Sequence, residues 1–207
     1  MNFPLDPLLL APLVTPGGRN ATATPGYRPA SVSLLLFAHP QPHLLAIQKT
    51  DTEGYPWRNQ VALPGGHRDA GDASALDTAL RELEEELGIR PGQVAMVGSL
   101  GRFQTIARRE VEAFLGIWDG SGPVRYDATE IARVLRIPVA DLARTHCERH
   151  YAGRLPDVRE LLYPYRDVII WGLTAKILHR FLERLLPLVQ AGAGACPPVV
   201  SAAPGAV

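Results

Sequence analysis

The chain has 207 residues, with 21 basic and 21 acidic side chains and a formal net charge of zero. Such balance gives no bulk attraction to duplex nucleic acid or to an anionic membrane, and neither is expected as a partner. Hydrophobic residues make up 46% and charged ones 20%, enough apolar material for one core of ordinary domain size. Two cysteines, Cys147 and Cys196, are too few for a disulfide-dense scaffold or a cysteine-ligated metal, and the expected setting is the cytoplasm.

In chain order, residues 1–29 are rich in proline and predict an extended N-terminal arm. Pro4, Pro7, Pro12 and Pro16 interrupt its apolar run, and no basic leader precedes that run, so an export signal is not expected. Residues 32–38 and 43–49 are strand-sized apolar runs, and His39-Pro40-Gln41-Pro42 between them predicts a hairpin. Further strands are expected at 94–100, 111–118, 131–137 and 167–171. Leu76, Leu80, Leu83 and Leu87 predict a helix over 74–87, and Ile177, Leu178, Phe181, Leu182 and Leu185 predict one over 174–186. Strands interleaved with helices imply a layered α/β sandwich. The folded domain is expected over 30–190. Residues 191–207, almost all Ala, Gly, Pro and Val, predict a disordered tail.

The chemistry concentrates in Leu63-Pro64-Gly65-Gly66-His67-Arg68-Asp69-Ala70-Gly71-Asp72 and the helix that follows. Ser74 with Asp77 forms a capping-box pattern, and Gly88 supplies a C-terminal stop. Arg81, Glu82, Glu84, Glu85 and Glu86 crowd the last two turns, and Glu82, Glu85 and Glu86 share one sector of about 100°. Like charges at these spacings repel, and acidic groups near a helix C-terminus oppose its dipole. A solvated acidic face with ordinary i,i+4 pairs is one reading. The other is a bound cation, because paired glycines at a strand end allow a ligand to approach the backbone beside the carboxylates. Carboxylate oxygens suit Mg²⁺, which commonly shares its shell with substrate phosphates and so points to phosphoanhydride cleavage.

These residues resemble the signature of the Nudix hydrolases. Arg81-Glu82-Leu83-Glu84-Glu85-Glu86-Leu87-Gly88-Ile89 matches its second half at every defined position, and Gly65-Gly66 matches the glycines before it. Asp72 stands where the first Glu of the signature falls, and one extra residue precedes Arg81. That extension, with Asp69 and Asp72, is similar to the coenzyme A branch of the family. The segments Asn59-Gln60-Val61-Ala62-Leu63-Pro64-Gly65-Gly66 and Ile170-Trp171-Gly172-Leu173-Thr174-Ala175-Lys176-Ile177-Leu178 are also similar to stretches of that branch.

The resemblance implies a Nudix-type α/β/α sandwich with a mixed β-sheet between helices, and Mg²⁺ or Mn²⁺ as cofactor. It implies Glu82 and Glu86 as metal ligands, Glu85 as a third ligand or proton acceptor, and Arg81 as the group that orients a glutamate. Glu112, on a strand, is the candidate for a late carboxylate ligand. Gly65, Gly66, Arg58, Lys49 and Arg68 are candidates for contact with a small-molecule nucleoside diphosphate substrate. The implied activity is cleavage of coenzyme A or acyl-CoA to phosphopantetheine and adenosine 3′,5′-bisphosphate. Gln48-Lys49 and Trp57-Arg58-Asn59 depart from the branch pattern and keep open another substrate, such as ADP-ribose or a dinucleotide. A nucleotide-sensing domain without catalysis is the third reading, and a homodimer is a further arrangement the family allows.

Overall fold

A computed structural model describes residues 1–15, 24–54 and 57–190. The predicted tail at 191–207 lies outside the described residues. The elements in order are α1 (Pro7–Leu10), β1 (Arg28–Ala38), β2 (Pro42–Lys49), β3 (Val61–Ala62), β4 (Gly65–His67) and α2 (Ala75–Leu87). They are followed by β5 (Val94–Gln104), β6 (Arg109–Trp118), β7 (Ile131–Pro138), α3 (Val139–Glu148), β8 (Tyr163–Tyr165), β9 (Val168–Ile170) and α4 (Gly172–Gln190).

Seven strands form one mixed sheet, with the path β3-β2-β1-β6-β5, β4 added to β1 and β7 added to β2. β1 runs parallel to β6 and antiparallel to β2 and β4. Its first half pairs with β4 and its second half with β2, so the sheet forks at this strand. Side chains alternate across the two faces with period two. Leu34, Leu36, Leu44 and Ala46 join the core with Leu178, Phe181, Leu182 and Leu185 of α4. Leu35, Phe37, Leu45 and Ile47 pack instead with Leu83 and Leu87 of α2. A sheet covered on both faces between helices is the α/β/α sandwich expected from the sequence.

Three details differ from expectation. The N-terminal segment is not an extended arm up to Thr15. Asp6 caps α1 by accepting from the Leu8 N–H, and a 3-10 turn follows at Ala11–Leu13. Pro7 and Pro12 fall in the first turns of these pieces, where no N–H is required, and Phe3, Leu10 and Leu13 are buried. The buried stripe of α2 runs through Ala79, Leu83 and Leu87, whereas Leu76 and Leu80 are only half-buried. Finally, α4 continues past Leu186 and through Pro187 to Gln190, because Leu188 and Val189 still pack against the core.

Candidate active site

β4 delivers the glycines. Ser31 of β1 pairs with Gly66, and Val32 pairs with Gly65. Gly65 has φ +149°, and a Cβ there would run into the backbone of Ser31 and Val32. At Gly66 an added Cβ would overlap the Glu82 carboxylate. The pair is therefore glycine for two different steric reasons: strand approach at the first, room for a carboxylate at the second.

α2 is specified as the sequence suggests. The Ser74 hydroxyl accepts from the Asp77 N–H at 3.2 Å, and Gly88 closes the helix in the left-handed conformation at φ 66°. The acidic face then divides. Glu82 and Glu86, one turn apart, face β4 with side chains only 15% and 11% exposed. Glu86 Oε2 accepts from the Gly65 N–H at 2.9 Å, and its Oε1 lies 2.7 Å from Lys49 Nζ. Burial pushes the Glu82 carboxyl up from its ordinary value, although Arg81 opposes this. Glu85 points outward, 58% exposed, and accepts from Arg81 Nη1 at 2.7 Å.

Arg81 is the hub. Its Nε and Nη2 each donate to Asp72 at 3.1 Å, and Nη2 also donates to the His67 carbonyl at 2.8 Å. Nη1 sits 3.0 Å from Glu82 Oε1 as well as reaching Glu85. The Arg81 pair, the Asp69 N–H and the Thr78 hydroxyl hold the Asp72 carboxyl down at about 2. The loop between glycines and helix is thus clamped onto the guanidinium that also touches two of the acidic side chains. Asp72 is a residue whose role the sequence did not reveal; its place in the extended loop, nine residues before Arg81, was the available signal.

The remaining candidates are spread more widely. Glu112 is in register with Ser31, which is in register with Gly66, so all three share the sheet face that looks toward α2. It is 7% exposed and lies 3.6 Å from Arg102 Nε. A shallow pocket there is lined by Ser31, Arg68, Ala75, Arg102, Glu110 and Glu112. Glu110 is engaged by the hydroxyl and N–H of Thr24, which hold its carboxyl low. Arg68 donates to the carbonyls of Asp72 and Ala73, a loop-holding role in place of a free phosphate contact. Arg58 is exposed and paired with Asp51 at 3.6 Å. Arg109 lies over the Trp57 ring, 4.4 Å from its centroid.

The structure also brings together His146, His179 and Glu183, which are not among the candidates named from the sequence. One ligand-type atom from each lies within 4.8 Å of the others. Burial lowers the pKa of both histidines. His179 and Glu183 are one helical turn apart, and that spacing was the visible signal.

Comparison with known proteins adds to this geometry. The NUDIX domain family matches residues 27–158. Nudix hydrolase NudL of Escherichia coli K12 is 35% identical over 159 residues, covering 75% of this chain and 82% of its own. NudL of Photorhabdus laumondii is 31% identical over 161 residues, covering 76% and 85% respectively. Among solved structures, the Nudix hydrolase RenU from M. smegmatis superposes with TM-score 0.52 at 13% identity, over 83% of this chain and 90% of that one. The NUDIX domain of Shewanella oneidensis NrtR, crystallised with ADP-ribose, gives TM-score 0.50 at 19% identity, over 78% and 90%. These structural likenesses concern the fold alone.

Proposed function

The chain belongs to the Nudix hydrolases, enzymes acting on phosphoanhydride bonds, and on that premise we propose that it cleaves the diphosphate of coenzyme A or an acyl-CoA with Mg²⁺ or Mn²⁺. The products are phosphopantetheine and adenosine 3′,5′-bisphosphate. One observation carries the reading: Glu82 and Glu86 both face the Gly65-Gly66 backbone, where Gly66 leaves the space that a Cβ would take from Glu82.

The donor set fits a hard dication. Glu82, Glu86 and Glu85 offer only carboxylate oxygens, and Glu112 lies on the same sheet face as Gly66. Glu82 and Glu86 would hold the ion, with Glu85 or Glu112 as further ligands. When bound, the ion neutralises diphosphate charge and makes the phosphorus more electrophilic. Arg81 keeps Glu82 and Glu85 oriented through charge-assisted hydrogen bonds, and Asp72 fixes Arg81 in turn. Glu85, at the open rim, is the group to accept the proton of the attacking water. Lys49, 2.7 Å from Glu86, sets a positive charge beside the place proposed for the diphosphate. The Gly65 and Gly66 backbone gives the diphosphate a surface without side chains.

Specificity for coenzyme A rests on the sequence resemblance of the loop at 69–72 and of the segments before β4 and into α4. A second substrate class, a nucleoside diphosphate derivative such as ADP-ribose or a dinucleotide, is favoured by Trp57. Its ring lies under the Arg109 guanidinium, and an aromatic surface next to a cation is the pairing that recognises a nucleotide base and its phosphates. The deciding experiment incubates the full chain and Mg²⁺ with coenzyme A, acetyl-CoA, ADP-ribose and a dinucleotide, and identifies products by mass spectrometry. Phosphopantetheine and adenosine 3′,5′-bisphosphate support the proposal. Turnover of ADP-ribose alone transfers the reading to the second class, and tight nucleotide binding without turnover indicates a sensing domain.

A further inference from the structure

On the opposite side of the sheet from α2, α4 packs against α3 and the short β8–β9 hairpin. There His146, on the last turn of α3, is fully buried, with His179 and Glu183 of α4 beside it. His146 Nε2 lies 2.8 Å from Glu183 Oε1, and its Nδ1 lies 2.9 Å from the Tyr163 hydroxyl. The Gly153 N–H donates to Glu183 Oε2 at 3.0 Å, which leaves Oε1 turned toward the histidine. The two imidazole centroids are 5.1 Å apart. His179 is 6% exposed; its buried Nδ1 has no partner at hydrogen-bond distance, although the Arg154 backbone lies near the ring. Such an atom is uncommon in a native interior and marks a place where a further ligand belongs.

We infer that His146, His179 and Glu183 form a second metal site, separate from the acidic helix, that takes one transition-metal dication of the Zn²⁺ class. Two imidazoles and one carboxylate make a donor set such ions prefer, whereas Mg²⁺ prefers oxygen alone. Ligand atoms around a tetrahedral ion at roughly 2.0–2.2 Å stand about 3.5 Å apart. To reach that spacing the 2.8 Å separation of His146 Nε2 and Glu183 Oε1 opens and the wider separations, all within 4.8 Å, close, with side-chain adjustments of about 1 Å. The Tyr163 hydroxyl can donate to or accept from His146 Nδ1. The ring proton can therefore move from Nε2 to Nδ1 as Nε2 takes the metal, with no net proton released. Glu183, 30% exposed, provides the way in, and a water completes the fourth position. The bound ion clips α3 to α4.

The test uses tag-free full-length protein stripped with a chelator, and competition against a zinc-binding dye counts equivalents. The Glu82→Gln/Glu86→Gln double variant should retain one tight Zn²⁺ equivalent. His179→Gln and Glu183→Gln, made in that background, should each weaken it at least tenfold. A hundredfold excess of Zn²⁺ over Kd should raise the Tm of the double variant by about 5–10 °C, and each added substitution should cut this shift to about half or less. Circular dichroism checks folding, and should His179→Gln fail to fold, Glu183→Gln decides. No tight equivalent in the double variant, or one that survives Glu183→Gln, overturns the assignment.

Discussion

Asp72→Asn tests the link between the glycine loop and the acidic helix α2. Asp72 is nine-tenths buried and accepts two hydrogen bonds from Arg81, one from Thr78 and one from the Asp69 N–H. Its carboxyl is held at about 2 against an ordinary 3.8, which by linkage amounts to about 2 kcal/mol of stability at neutral pH. Asparagine keeps the shape, loses the charge, and turns an NH₂ toward donors. The expected loss at pH 7 is therefore about 2–3 kcal/mol, a shift of about 1 M or more in a urea midpoint. The pH dependence provides a second readout. Between the two values the unfolded chain binds a proton that the folded chain refuses, so stability rises with pH there. The contribution is complete above about pH 5 and is lost as the pH falls through about 2. Urea unfolding at a series of pH values should show this acid slope in the native protein and a shallower one in the variant. Equal midpoints and equal slopes would refute the clamp.

Other expected outcomes follow from the same contacts. Glu86→Gln should lower Mg²⁺-dependent turnover at least about 100-fold while leaving the far-ultraviolet circular dichroism unchanged. Glu82→Gln should abolish turnover without lowering the unfolding free energy measured in chelator. Burial raises this carboxyl, so its charge opposes folding at neutral pH. Gly66→Ala should displace the Glu82 carboxylate and raise the Mg²⁺ concentration needed for half-maximal activity; an unchanged activation curve would contradict the steric account. Leu10→Ala should cost about 2–5 kcal/mol in denaturant unfolding, the penalty of a cavity in the main core rather than of a trimmed surface arm.

Much of this architecture was legible because local and long-range signals agreed. The 74–87 helix carries its own cap, its own stop and an apolar spacing, and the sheet adds nothing that conflicts. The 32–49 hairpin is marked by two apolar runs about a proline turn. What escaped was short or tertiary. β3 and β4 have two and three residues, too few to show a period, and exist because β1 and β2 offer free edges. α3 hides its apolar stripe behind a histidine: Val139, Leu142, Ala143 and His146 are the buried positions. The division of the glutamates, two inward and one at the rim, depends on how α2 rotates over Gly66, which no helical wheel supplies. The Arg68 and Asp72 contacts depend on loop closure, so residue type alone could not separate phosphate binding from loop support.

The buried N-terminal segment has a consequence for synthesis. Leu10 and Leu13 share the core with α4, and Arg184 Nη1 donates to the Leu13 carbonyl at 2.6 Å across a separation of 171 residues. At ribosomal speeds of about 5–20 residues per second, roughly 10–30 s pass before the last helix can cover the first. Throughout that interval the segment holding Leu10 and Leu13 is an apolar stretch awaiting a partner not yet made. Ribosome-bound intermediates truncated before α4 should accordingly recruit chaperones that the finished protein no longer needs.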